Sequence, residues 1–312
     1  MRRLAAILRR AGAVVRRLGA GLWRGIKGVA GGLYRHDCLG LAAQIAYSAL
    51  FSLFPFLLLL NALVAYIPGG ERVGDWLLGS LRAVVSPESR LYEIVEQNIF
   101  VEVGALSATL LSVGAVLTVW SASSAVMVLL KAVNRAYGLE ETRSWQRRRA
   151  MAAGWSIAGA VVIPIGVLML VFGAGIGDAI GRRVGEDSAL HALWVGLRWP
   201  VVFVMLVGML GIFLYLAPSK RHRWYSVLPG ALISVGAIIG ASAGLSWFVS
   251  QSVMQVRWLS YGAIGTVIVL LFWAFLIALM VLVGGEINAV VHKAVVARRA
   301  TRGDLVESQN DE

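Results

Sequence analysis

Six stretches of this chain each run for at least 21 residues without a charged side chain, and they limit what it can fold into. They lie between Asp37 and Glu71, Glu102 and Lys131, Arg149 and Asp178, Arg198 and Lys220, Arg223 and Arg257, and Arg257 and Glu286. A membrane-spanning helix needs about 20 mostly apolar residues. Each stretch can therefore cross a bilayer alone, with predicted cores at about 41–66, 105–129, 152–176, 199–218, 229–251 and 261–285. Membrane β-strands need only about ten residues with strict alternation, and these runs are longer and apolar on all sides. Composition agrees: 58% of residues are hydrophobic and 15% charged, against about 25% charged in soluble domains. Mean hydropathy is +0.75. The expected fold is an all-α membrane protein, a six-transmembrane-helix bundle.

The 29 basic and 17 acidic residues give a net charge of +12. Basic chains meet nucleic acid or anionic membrane. Here the charges flank the apolar runs and no soluble basic domain is apparent, so nucleic acid is not an expected partner. Alternate inter-span segments hold 22 basic residues on one side and seven on the other. The lysine and arginine bias predicts both termini in the cytoplasm of a bacterial inner membrane.

Three regions lie outside the predicted spans. In the basic segment 1–36, Arg2, Arg9 and Arg16 recur every seven residues, as do Arg3, Arg10, Arg17 and Arg24, opposite an aliphatic face. That pattern predicts an amphipathic helix on the anionic cytoplasmic leaflet, or a basic tail that only sets topology. Segment 71–102 predicts two short amphipathic extracytoplasmic helices around Ser86-Pro87-Glu88. A polar cytoplasmic tail is expected over 294–312, after a six-span domain at 37–293, and its end after about Arg302 reads as disordered.

Polar groups inside lipid are costly and should face protein or a cavity. Asp37, Gln44, Ser48 and Ser52 share one face of span one, with Tyr47 beside them and Pro55 following. They predict a kinked polar groove wall or ordinary interhelical hydrogen bonding. Trp120, Ser121, Ser123 and Ser124, then Asn134 and Arg135, fall in the inner half of span two. Glu286 and Asn288 close span six at a similar depth. One polar cluster is therefore expected, with Asp37 or Glu286 paired to Lys131 or Arg135, unless each carboxylate is solvated at its own helix end. Gly236, Gly240 and Gly244 recur at steps of four, a spacing that allows close helix packing; Gly262 and Gly265 are candidates for the same role.

The single cysteine, Cys38, and the four widely separated histidines offer neither a disulfide nor a metal site. No cofactor motif and no catalytic constellation is apparent, and hydrolysis would need a nucleophile beside a base.

Several motifs together resemble the YihY/virulence factor BrkB family, over about residues 33–293. They are Asp37 with Ala42-Ala43-Gln44-Ile45-Ala46-Tyr47-Ser48-Ala49-Leu50-Phe51-Ser52-Leu53-Phe54-Pro55, then Trp120-Ser121-Ala122-Ser123 with Asn134-Arg135-Ala136-Tyr137-Gly138. Leu216-Ala217-Pro218, Leu228-Pro229-Gly230-Ala231, Tyr261-Gly262-Ala263-Ile264-Gly265 and Gly284-Gly285-Glu286-Ile287-Asn288-Ala289 complete the set. The arginine-rich N-terminal extension departs from the family pattern. The resemblance implies a six-span inner-membrane protein linked to envelope integrity and serum resistance, and to movement of lipids or other envelope material. Members were once mislabelled ribonuclease BN, a label that finds no soluble metal-binding fold here.

The function expected is transporter-like handling of a lipid or other amphiphile, with Asp37 and Glu286 as coupling or headgroup-contacting acids and Arg135 for phosphate. A non-transporting envelope scaffold is the alternative, and an intramembrane enzyme ranks last. Expected partners are membrane lipids including anionic phospholipids, with envelope proteins or a second copy of the chain also open.

Overall fold

The computed structural model describes residues 23, 25–66, 108–184, 189–219, 224–250 and 252–310. All regular structure among them is helical. A helical segment at 25–35 leads by a turn into α1 (Cys38–Tyr66). Then follow α2 (Ala108–Tyr137), α3 (Trp145–Val184), α4 (Ala189–Leu216), a 3₁₀ turn at Trp224–Ser226, α5 (Leu228–Ser250) and α6 (Ser252–Asn310). Helices are what such sequences must form in lipid, because no water is there to satisfy a bare backbone. Pro55, Pro164 and Pro200 sit inside α1, α3 and α4, which membrane helices tolerate.

Among the described residues, five helical stretches are long and apolar enough to cross a membrane: Ser112–Tyr137, Trp145–Gly166, Gly196–Leu216, Leu228–Ser250 and Ile264–Val296. In α1 the apolar stretch over which side chains are described is Cys38–Leu53, and the helix itself runs for 29 residues to Tyr66. The chain is thus a multi-pass α-helical membrane protein.

The helices outrun the cores expected from hydropathy. The 40 residues of α3 and the 59 of α6 correspond to roughly 60 and 90 Å at 1.5 Å per residue. Charge-free length measures only the part that must lie in hydrocarbon, and a helix can continue into water on its own hydrogen bonds. The tail expected as a separate polar segment from 294 is accordingly the end of α6, helical to Asn310. The expected helices of 71–102 and the arginine heptads from Arg2 to Arg24 lie outside the described residues.

Each helix packs on the next, α6 closes back on α1, and α2 also touches α6. The buried core lies at one end of this ring, where α1, α3 and α5 begin, α2 and α4 approach their ends, and α6 passes with its residues 278–289. One cluster joins Leu130 and Val133 of α2, Ala152 of α3, Phe213 and Leu214 of α4, Val235 of α5 and Ala289 of α6. A second joins Leu41, Ala42 and Ile45 of α1 to Ala132 of α2 and to Ala278 and Leu282 of α6.

Candidate functional site

At that tight end, a turn carries the chain from segment 25–35 into α1. The His36 amide donates to the Gly32 carbonyl at 2.9 Å and the Asp37 amide to Tyr34 at 3.2 Å. Asp37 turns left-handed, with φ of 54°, a conformation that aspartate adopts more readily than most residues. Its carboxylate accepts the Gly40 amide at 3.3 Å, the geometry of a helix N-cap. Asp37 is exposed and begins α1.

The turn delivers His36 to α6. The His36 imidazole Nδ1–H donates to Glu286 Oε1 at 2.5 Å, a pairing with side chains 19% and 3% exposed. The Cys38 thiol lies 3.8 Å from the same oxygen. Gly32 presses against this carboxylate so closely that a Cβ there would overlap it, and a Cβ at Gly28 would meet Val290 at 3.4 Å. Arg135 reaches the turn rather than the acid: its Nη1 donates to the His36 carbonyl at 3.2 Å. The expected pairing of Glu286 or Asp37 with Lys131 or Arg135 is therefore replaced by Glu286 with His36. Lys131 is exposed, and Arg135 is engaged with backbone. A carboxylate this deep needs a partner to offset its lost hydration, and the turn supplies an imidazole. Sequence reading passed over His36 because 250 positions separate it from Glu286. The available signal was its place next to Asp37, at the mouth of span one.

The two asparagines tie helix ends together. Asn134 donates to Glu141 at 2.7 Å and accepts the Ser219 amide at 2.8 Å. Glu141 also binds Arg143 at 2.8 Å, and Arg143 donates to the Ala217 carbonyl at 2.6 Å. Burial alone would raise the Glu141 carboxyl, but its hydrogen bonds to Arg143 and the charges of Arg143 and Arg148 hold it below its ordinary value. Asn288, fully buried, accepts the Gly230 amide at 2.8 Å and donates to Val227 at 3.0 Å, closing the first turn of α5 onto α6.

The remaining candidates are dispersed. Gln44 and Tyr47 lie on an exposed face of α1, Tyr47 against Phe51 with ring centroids 4.5 Å apart. Ser48, Ser52 and Pro55 are half-buried, and Ser52 donates back to Ala49 at 2.7 Å. Ser121 and Ser124 donate to carbonyls one turn earlier in α2, at 2.7 and 3.2 Å, a local satisfaction open to any helical serine. Trp120 is exposed. Neither of the two described cavities is lined by Gln44 or Glu286.

Close packing of α5 on α6 uses glycines other than those expected. Among the described residues, no neighbouring atom lies within 4 Å of a Cβ built at Gly236, Gly240 or Gly244. A Cβ at Gly230 would overlap the Gly284 backbone, and one at Gly284 would overlap Ser234. Ser234 also donates to the Met280 carbonyl at 2.8 Å. The contact forms where α5 begins. Gly265 is buried in α6, while the surroundings of Gly262 lie outside what is described.

The chain is similar to "Putative ribonuclease-like protein YfkH" of Bacillus subtilis, 33% identical over 260 residues that cover 83% of this chain and 91% of the relative. A "UPF0761 membrane protein" of Alkalilimnicola ehrlichii is 28% identical over 276 residues, 86% of this chain and 59% of that one. Another, from Chromohalobacter salexigens, is 26% identical over 262 residues, 81% and 60%. The chain thus spans about six-tenths of the length of these two UPF0761 proteins. No solved structure matches it. The family described as Virulence factor BrkB matches residues 29–307, a range that holds the turn, the Glu286–His36 pair and both asparagine ties. The chain belongs to the Virulence factor BrkB family.

Proposed function

We propose that this protein crosses the bacterial inner membrane six times, with both termini cytoplasmic, and moves or handles a lipid or other amphiphilic envelope component. The sixth crossing is α1, whose 29 residues would extend roughly 44 Å, more than the hydrocarbon thickness. The observation that carries the functional reading is the buried Glu286 carboxylate bonded to His36, where segment 25–35, α1 and α6 meet. Ionisable groups at membrane depth commonly mark substrate or proton pathways. A carboxylate–imidazole pair can hold or pass on a proton while a substrate moves alongside. Asp37, as a helix cap, is left a structural part, and the exposed Arg135 keeps donors for phosphate beside the turn.

The test is reconstitution into liposomes with labelled phospholipids, with and without a proton gradient. Leaflet exchange above empty vesicles, lost in Glu286→Gln, is the expected result. Exchange no faster than in empty vesicles would refute transport. A non-transporting scaffold is the second reading, favoured by the lack of a described cavity joining Gln44, Ser121 and Glu286. It expects Glu286→Gln to be harmless wherever expression holds.

A further inference from the structure

A second charged site stands apart from the Glu286–His36 pair, in a lateral groove between α2 and α3 of about 560 Å³. That volume is within the range of ligand clefts. Its walls are apolar, with Val116, Val119 and Ala153 among the lining side chains, and Trp120, Trp145 and Arg149 add two aromatic rings and a cation. Among the described residues, the lining contains no acidic side chain.

Arg149 is held in place rather than free to reach into water. Its Nη2 donates to the Trp120 carbonyl at 2.5 Å and its Nη1 to Ser124 Oγ at 3.3 Å. The guanidinium lies 3.8 Å from the centroid of the Trp120 ring, and Trp145 packs on Trp120 with centroids 6.2 Å apart. Every described partner of Arg149 is neutral. Arginine carries five N–H donors in a planar fork, and these contacts leave part of the fork unused. A half-buried guanidinium balanced only by dipoles attracts an anion, and its fork suits a phosphate. The walls ask for hydrocarbon on the same molecule, which inorganic phosphate lacks. Exposed tryptophans are also the side chains favoured at the headgroup level of a bilayer.

We propose that this groove binds an anionic phospholipid, its phosphate on Arg149 and an acyl chain along Val116, Val119 and Ala153. A zwitterionic lipid brings its own cation, which competes with Arg149 for the phosphate. The proposal gives a lipid class to the membrane reading above; it rests on the chain being embedded in lipid and is independent of transport.

Native mass spectrometry of the full chain in mild detergent, with added phosphatidylglycerol or phosphatidylcholine, tests it. The wild type should retain phosphatidylglycerol preferentially. Arg149→Ala should reduce that retention about tenfold, while Arg149→Lys keeps part of it. Lys293→Ala, which removes an equal charge from an exposed position elsewhere, should leave it unchanged. Val119→Trp, which fills the groove but spares the charge, should also lose the lipid. Excess inorganic phosphate should fail to displace it. Equal losses in Arg149→Ala and Lys293→Ala, full retention in Val119→Trp, or displacement by phosphate alone would each overturn the site.

Should Arg149→Ala fail to fold, fluorescence quenching by bromine-labelled lipids gives a second readout. Replacing Trp120 and Trp145 with phenylalanine should shrink the difference in quenching between phosphatidylglycerol and phosphatidylcholine, and an unchanged difference would overturn the proposal. Phosphatidylglycerol retained without leaflet exchange would remove transport and leave the site. Exchange with no lipid preference would do the reverse.

Discussion

Gly32 and Glu286 show how one missing methyl group shapes this protein. Segment 25–35 approaches α6 closely enough for His36 to reach the carboxylate only because Gly32 has no side chain. Gly32→Ala must push the carboxylate or the segment aside, and overpacking of this kind costs about 1–3 kcal/mol. The thermal midpoint in detergent should fall accordingly. If the clash is with Glu286, combining Gly32→Ala with Glu286→Ala should cost less than the two single changes added together. Strict additivity would deny the contact. The same glycine could not be singled out in the sequence, where it is one of 35.

At the scale of the element, helix ends rather than helix middles carry the specific bonds. Asn288→Ala would strand the buried Gly230 amide, at a cost of about 1–3 kcal/mol, and would leave the Val227 carbonyl with the Ala231 amide alone. Asn288→Asp keeps an acceptor for Gly230 but turns a second acceptor oxygen on the Val227 carbonyl, so its melting midpoint should also fall below that of the wild type. Gly284→Ala should disrupt the α5–α6 crossing, while Gly236→Ala, with open space around it, should leave the midpoint unchanged or raise it slightly. Equal damage from both would place the crossing elsewhere. The link between α2 and α3 depends on pH. Because Glu141 is held below its ordinary value in the folded protein, its contribution is full above the ordinary carboxylate range. It is lost as pH falls through the depressed value. Melting curves of the wild type should weaken over that acid window, and Glu141→Gln should flatten the dependence.

For the whole molecule, the prediction concerns topology. The 22-to-seven split of basic residues holds only if the number of crossings is even. Reporter fusions at the two ends should therefore report the same, cytoplasmic, compartment. Opposite compartments would mean that α1 or another helix fails to cross. The ring of helices would then have to be redrawn around five spans.

Much of this architecture was legible in the chain. Charge-free length fixed where hydrocarbon must surround a helix, because a bare charge in lipid is costly whatever the tertiary structure. Depth along each span could also be counted, which brought Asp37, Asn134, Arg135, Glu286 and Asn288 to one end of the bundle. Which of them touch could not be counted, because rotation about helix axes and the path of turns are set by packing between distant segments. Only the folded chain gave Glu286 to His36, made Asp37 a helix cap and used the asparagines to tie helix ends. It also moved the close glycine contact from Gly236, Gly240 and Gly244 to Gly230 and Gly284. Hydropathy is a property of each residue and its near neighbours, and a partner 250 positions away is chosen by shape.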